Sequence, residues 1–217
     1  MIYLIGGPPR SGKTTLAKLL SQELKIPYVI TDDIQKVVRA YIPKQEHDEL
    51  FPFRRIELEC GYDNDLIYAK YSVDKIVQAY ICQAKSYWPG FRDLAEYCLR
   101  EGKDYVIEGH LIHPEFAASI LTSENRTSVK TAFLCKKNVL AIVEGLKANP
   151  ESDWITDRTK YGETFLEIAE MISNYGSYFT TEAVRYGFST EVLDTGFSAK
   201  IRKIAVSLLL ESPIGNR

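Results

Sequence analysis

LIGGPPRSGKTTLAK, residues 4–18, joins an apolar run to an amphipathic one through a glycine-rich loop that ends in a lysine and two threonines. Within it, Gly7, Gly12, Lys13 and Thr14 satisfy the phosphate-binding pattern G-x-x-x-x-G-K-[ST]. The flanks agree with that reading. Met1-Ile2-Tyr3-Leu4-Ile5 is short, apolar and β-rich, like a strand buried on both faces of a parallel sheet. Leu16, Leu19 and Leu20 then keep helical spacing as far as Ile26-Pro27. The stretch therefore reads strand, glycine loop, helix. Glycines let the main chain come close to a phosphate, and successive amides at a helix N-terminus turn partial positive charge toward it. Pro8 and Pro9 have no N–H to give, so the donors are expected from Ser11 through Thr15. The pattern assigns the Lys13 ammonium to the β- and γ-phosphates and the Thr14 hydroxyl to Mg²⁺. Gly7, Arg10, Ser11, Gly12, Lys13, Thr14 and Thr15 become the expected contacts of a bound ATP. The plainer alternative is a tight strand-to-helix turn with an exposed lysine.

The remainder of the chain can support such a site. Its 217 residues, 45% of them apolar, suffice for the core of one domain, with or without insertions. A formal net charge of -2 gives no electrostatic case for a dedicated nucleic-acid or membrane-surface binder. Cys60, Cys82, Cys98 and Cys135 are dispersed without a CxxC pair, which argues for reduced cysteines and against a zinc site or a disulfide scaffold. No segment reaches the ~20 apolar residues of a membrane span, and the first residues lack a leader pattern, so a cytoplasmic protein is expected.

Further strands are expected at Tyr28-Val29-Ile30, Tyr105-Val106-Ile107, Val129 to Leu134 and Glu191-Val192-Leu193, separated by helical or irregular sequence. Such alternation implies a parallel sheet covered on both faces. Residues from about 40 to 102 read as a helical insertion of at least two helices: Val73, Ile76, Val77, Tyr80 and Ile81 form one stripe, Pro89-Gly90 breaks the run, and Phe91, Leu94, Ala95, Cys98 and Leu99 form another. Between a helix around Val139 to Lys147 and a longer one holding Phe165, Ile168, Ala169 and Ile172 lies a polar stretch, about 148–162, that reads as a lid. A last helix carries Ile201, Ile204, Ala205, Leu208 and Leu209, and the tail SPIGNR is expected to fray.

GGPPRSGKTT, TDDIQKVVR and VIEGHLIHP, in that order, resemble the P-loop small-molecule and nucleotide kinases, in particular the 2-phosphoglycerate-kinase-like and zeta-toxin-like branches. The resemblance covers the three sheet-edge segments and implies an α/β P-loop NTPase fold in three α/β/α layers. It further implies a five-stranded parallel sheet of order 2-3-1-4-5, a substrate-binding helical insertion and an arginine-bearing lid. It implies a proton-accepting or positioning acid at Asp32, with Asp33 as the near alternative, and one of the pair could equally cap the following helix. Gln35 stands where the pattern has an arginine, which counts against a phosphorylated acid or a nucleic-acid end as acceptor unless Lys36 or Arg39 compensates. Glu108, at the end of Tyr105-Val106-Ile107, would by the same resemblance be a catalytic acid that holds Mg²⁺ directly or through a water of its shell or orients the attacking group, or else would bond to nearby amides. His110 and His113 have no ligand pattern around them and read as loop residues. DTGF, residues 194–197, would lie beside the adenine base.

Phosphoryl transfer spreads negative charge over the moving group, so a cation beyond Lys13 is wanted. Arg158 in the polar stretch is the leading candidate, ahead of Arg10 and Arg185. The expected activity is transfer of the γ-phosphoryl group of ATP, with Mg²⁺, to a hydroxyl or phosphate of a small molecule. Two rivals remain open, a nucleotide-dependent regulatory ATPase or binding module and a polynucleotide 5′-hydroxyl kinase. The N-K-x-D signature of guanine-reading switches is absent, and most aromatic residues of the insertion fall on apolar stripes.

Overall fold

The strands form one sheet: β1 (Ile2–Gly6), β2 (Tyr28–Ile30), β3 (Tyr105–Gly109), β4 (Val129–Cys135) and β5 (Thr190–Val192). The computed structural model describes residues 1–148 and 154–210. All pairings are parallel and the order is β2-β3-β1-β4-β5, as expected. β1 is central because every one of its residues is buried, so it tolerates neighbours on both edges and layers on both faces. Strand alternation sends Tyr3 and Ile5 to one face, against Leu16, Leu20, Ile201 and Leu208, and Ile2 and Leu4 to the other, against a larger cluster. Each fully buried side chain of this size contributes about 1.5–3 kcal/mol.

The helices are α1 (Lys13–Leu24), α2 (Thr31–Tyr41), α3 (His47–Leu50), α4 (Pro52–Glu59), α5 (Asn64–Lys70), α6 (Val73–Arg100), α7 (Pro114–Ile120), α8 (Val139–Ala148), α9 (Trp154–Asp157), α10 (Gly162–Arg185) and α11 (Phe197–Leu210). α1 and α11 cover the first face, and α6, α7, α8 and α10 the second, giving three layers. α2 starts at the residue after β2, so Asp32 and Asp33 belong to a helix's first turn.

One expectation needs correction. Pro89-Gly90 does not end a helix, because α6 runs unbroken for 28 residues with Pro89 inside it. Its buried residues Ile76, Tyr80, Ala84, Tyr87, Phe91, Ala95 and Cys98 stay at three- and four-residue spacing across the proline, so packing on both sides demands one continuous helix. In the described part of the stretch read as a lid, Ile155 is buried, and Asn64 Nδ2 donates to the Trp154 carbonyl (3.0 Å) and to Thr159 Oγ1 (3.0 Å). Asp65 holds the Lys160 amide at 2.9 Å, which fastens the same stretch to α5. The rest of that lid, residues 149–153, and the tail SPIGNR lie outside the described residues. All four cysteines are free thiols, and no described helix is long and apolar enough to cross a membrane.

Candidate active site

The 7–14 loop leaves the carboxyl end of β1 and feeds α1. Two of its glycines are required by space. A Cβ at Gly7 would lie 2.1 Å from the Leu134 carbonyl oxygen, and one at Gly12, whose φ is +98°, would meet the Phe197 ring at 2.7 Å. The curled loop encloses Ser11, which is fully buried and whose Oγ has no hydrogen-bond partner among the described residues. Lys13 is also buried, and its Nζ donates to the Pro8 carbonyl at 2.6 Å. Burial pulls its pKa down, while Glu108 and Asp32 act in the opposite direction. An enclosed ammonium folded onto a carbonyl, beside an unpartnered hydroxyl, fits an anionic phosphate chain.

Thr14 and Glu108, 94 residues apart, meet because β3 pairs with β1: Thr14 Oγ1 donates to Glu108 Oε1 at 2.7 Å. Burial raises the Glu108 pKa, opposed by Lys13 and the Thr14 hydrogen bond. A hydroxyl beside a carboxylate is a donor set that suits Mg²⁺, which usually takes one or two carboxylates and completes its shell with phosphate and water. Among the described residues no group of three or more His, Cys, Asp or Glu could hold an ion.

Asp32 and Asp33 part company. Asp32 Oδ1 lies 3.2 Å from His110 Nδ1 and accepts from Gln35 Nε2 at 3.1 Å; Asp33 pairs with Lys36 on the outer face of α2 at 3.2 Å. The surrounding protein tends to raise the Asp32 pKa, but His110, Lys13 and Gln35 outweigh it and hold the carboxyl at about 2. The side chain is nevertheless 60% exposed, into a cavity.

Two cavities adjoin the loop. A cleft of about 1050 Å³ runs over Lys13 and Thr15 to Phe197, walled by Lys18, Lys136, Leu193 and Asp194. Asp194 accepts from the Lys137 and Asn138 amides, which ties the DTGF turn to the start of α8 on the cleft wall. A smaller chamber of about 160 Å³ is lined by Asp32, Tyr80, Glu108, His110 and Trp154. Arg10, Lys13 and Thr14 line both.

The remaining candidates lie elsewhere. Arg158 pairs with Glu57 at 3.2 Å and lines neither cavity, and Arg185 pairs with Glu182 at the end of α10. His113 is a core histidine between the Tyr175 and Tyr178 hydroxyls, at 2.7 and 3.2 Å. Sequence reasoning passed over His110, Tyr80, Trp154, Lys18 and Lys136. Lys18 sits within an amphipathic helical run and Lys136 beside Lys137 after β4, and nothing in the chain order placed either against the loop.

A family model described as an AAA domain matches residues 4–125. No curated protein matches the sequence. Among solved structures, a shikimate kinase from Bacteroides thetaiotaomicron is 17% identical over 97% of this chain and 98% of its own, with a TM-score of 0.47. A deoxyadenosine kinase from M. mycoides is 12% identical over 97% of this chain and 100% of its own, with a TM-score of 0.48. The family match spans more than half of the chain and takes in the glycine loop, the acid of α2 and the acid of β3. The chain thus belongs to the AAA domain family, as a P-loop protein of kinase-like fold.

Proposed function

We propose that the chain is an ATP- and Mg²⁺-dependent kinase that phosphorylates a hydroxyl or phosphate group of a small molecule. The observation that carries the reading is the pair of cavities that meet at Arg10, Lys13 and Thr14. A triphosphate in the larger cleft would end at that junction, where an acceptor in the smaller chamber could lie in line with it. Mg²⁺, held by Thr14 and Glu108 directly or through water, would neutralise the charge that develops between the β- and γ-phosphates.

The chain's own residues divide the remaining work. The loop amides and Ser11 cradle the phosphates, and Lys13 exchanges the Pro8 carbonyl for the bridging oxygens. Arg10 faces the transferred group from the junction of the cavities. For a hydroxyl acceptor, the bond between the γ-phosphorus and the ADP oxygen breaks, a bond to the acceptor oxygen forms, and the hydroxyl proton passes to Asp32. A carboxylate at about 2 is too weak to deprotonate a free alcohol, so Asp32 orients the hydroxyl and takes its proton once the new bond has acidified it. Arg158 stays with Glu57 in this scheme.

The test is Lys13→Ala, assayed for ADP release with Mg-ATP and a panel of hydroxylated and phosphorylated small molecules. Transfer is expected to fall by at least about 10²-fold, with the melting temperature kept within a few degrees. Undiminished turnover in that variant rejects the reading.

A further inference from the structure

Lys136 leaves β4 beside the glycine loop. β4 pairs with β1, and the Leu134 carbonyl is what a side chain at Gly7 would strike, so the strand end and the loop are in contact. The main chain is held here from two further sides. Gly176 of α10 comes so close that a Cβ on it would lie 2.9 Å from the Lys136 carbonyl oxygen, and Ser173 Oγ of the same helix donates to the Lys137 carbonyl at 2.9 Å. On the other side Asp194 accepts the Lys137 and Asn138 amides. The Lys136 side chain therefore starts from a fixed point on the wall of the larger cleft.

Its ammonium is seated but not neutralised. Nζ stands 5.9 Å from the centroid of the Phe197 ring, and the same ring packs on Gly12 of the loop. Toward α8, Nζ lies 3.8 Å from the position a Cβ on Gly145 would take. Glycine weakens a helix interior, and here a longer side chain would compete with the ammonium for space. Among the described residues no carboxylate forms an ion pair with Lys136. Burial pulls its pKa down and Arg10 adds to that, while Asp194 opposes them without making up the difference. A half-buried cation in this position gains from an anion in the cleft, and an anion that reached Arg10 as well would relieve their mutual repulsion.

We propose that Lys136 is a nucleotide-binding residue whose ammonium grips the phosphate chain of the donor alongside Lys13 and Arg10. This rests on the kinase reading and supplies a further cation for phosphoryl transfer, a role from which Glu57 holds Arg158 away. The cavities divide the work among the cations. Arg10 and Lys13 border the smaller chamber and so stand at the end of the chain that is transferred. Lys136 lines the larger cleft and not the chamber, so it meets the phosphates that stay behind in ADP. Its contribution therefore belongs to the binding of ATP and ADP alike.

The test is calorimetric titration of ATP, ADP and inorganic tripolyphosphate, each with Mg²⁺, into wild type, Lys136→Met and Lys136→Arg. Methionine keeps an unbranched apolar stem and drops the charge, whereas arginine keeps the charge. Lys136→Met is expected to bind all three ligands at least about tenfold more weakly, with the melting temperature of the free protein kept within a few degrees. Lys136→Arg is expected to stay within about threefold of wild type. Undiminished affinity in Lys136→Met overturns the proposal. So does a loss confined to ATP and ADP, because tripolyphosphate has neither base nor ribose and the lysine would then serve one of those. An equal loss in Lys136→Arg also overturns it, since packing rather than charge would be at work. A wild-type protein that binds neither nucleotide sinks the kinase reading itself, and the first titration records that separately.

Discussion

A single position separates Asp32 from Asp33, and the sequence could not choose between them because both follow β2 directly. The choice comes from helical rotation of about 100° per residue, which turns one carboxyl toward His110 and the chamber and the other toward Lys36 and solvent, 67% exposed. Under the proposed reaction Asp32→Asn is expected to lower kcat by about 10²- to 10⁴-fold with little change in the KM for Mg-ATP, while Asp33→Asn stays within about twofold of wild type. A steady-state comparison of the two variants on one acceptor decides it, and the reverse ranking would move the role to Asp33. Lys13, Thr14 and Glu108 were legible because a fixed spacing or a strand end defines each of them. His110 was not, since its part depends on an Nδ1 brought within 3.2 Å of Asp32 by the β2–β3 pairing, which no local pattern records.

At the scale of elements, α6 shows how a breaker rule yields to packing. A proline inside a helix loses one hydrogen bond and crowds the preceding turn, and an adjacent glycine adds backbone entropy, so the pair read as a stop. Yet the stripe from Ile76 to Cys98 could have been followed through Pro89, and a continuous stripe outweighs a local penalty of a few kcal/mol when each buried residue on it returns about 1.5–3 kcal/mol. Gly90 is exposed, helical, and has nothing within 4 Å of the position a Cβ would take. Gly90→Ala should therefore stabilise the protein by about 0.5–1 kcal/mol, measured as a higher denaturant midpoint with an unchanged slope. A lower midpoint would mean that α6 needs the extra backbone freedom at its proline. The strands, by contrast, were legible to within about two residues, because short apolar runs between turn signals leave few alternatives in a parallel sheet.

For the molecule as a whole, strand order could be anticipated from the chain, but the way the second-face helices lock onto the sheet edge could not, because it depends on a buried polar junction. His113, at the start of α7, reaches two tyrosines of α10. The Tyr175 hydroxyl donates its only proton to the His110 carbonyl at 3.0 Å, so it must accept from His113 Nε2–H, which leaves Nδ1 bare to accept from Tyr178. The ring is therefore neutral, and burial, reinforced by the charges of His110 and Lys85, lowers its pKa to about 3. Unfolding exposes it and returns it to about 6.5. Between those two values the unfolded chain binds a proton that the native ring does not, so stability is complete above about 6.5 and declines as pH falls, by up to about 1.4 kcal/mol per unit. Other groups titrate in the same range, so the informative quantity is the difference between wild type and His113→Gln, which keeps a hydrogen-bonding side chain but cannot titrate. Wild type should be the more stable at pH 7.5, and its advantage should shrink steadily from pH 6 to pH 4.5 in urea unfolding. An advantage that stays constant across that window would show that the ring is protonated, or solvated, in the native state. α7 and α10 would then be joined by something other than this neutral histidine.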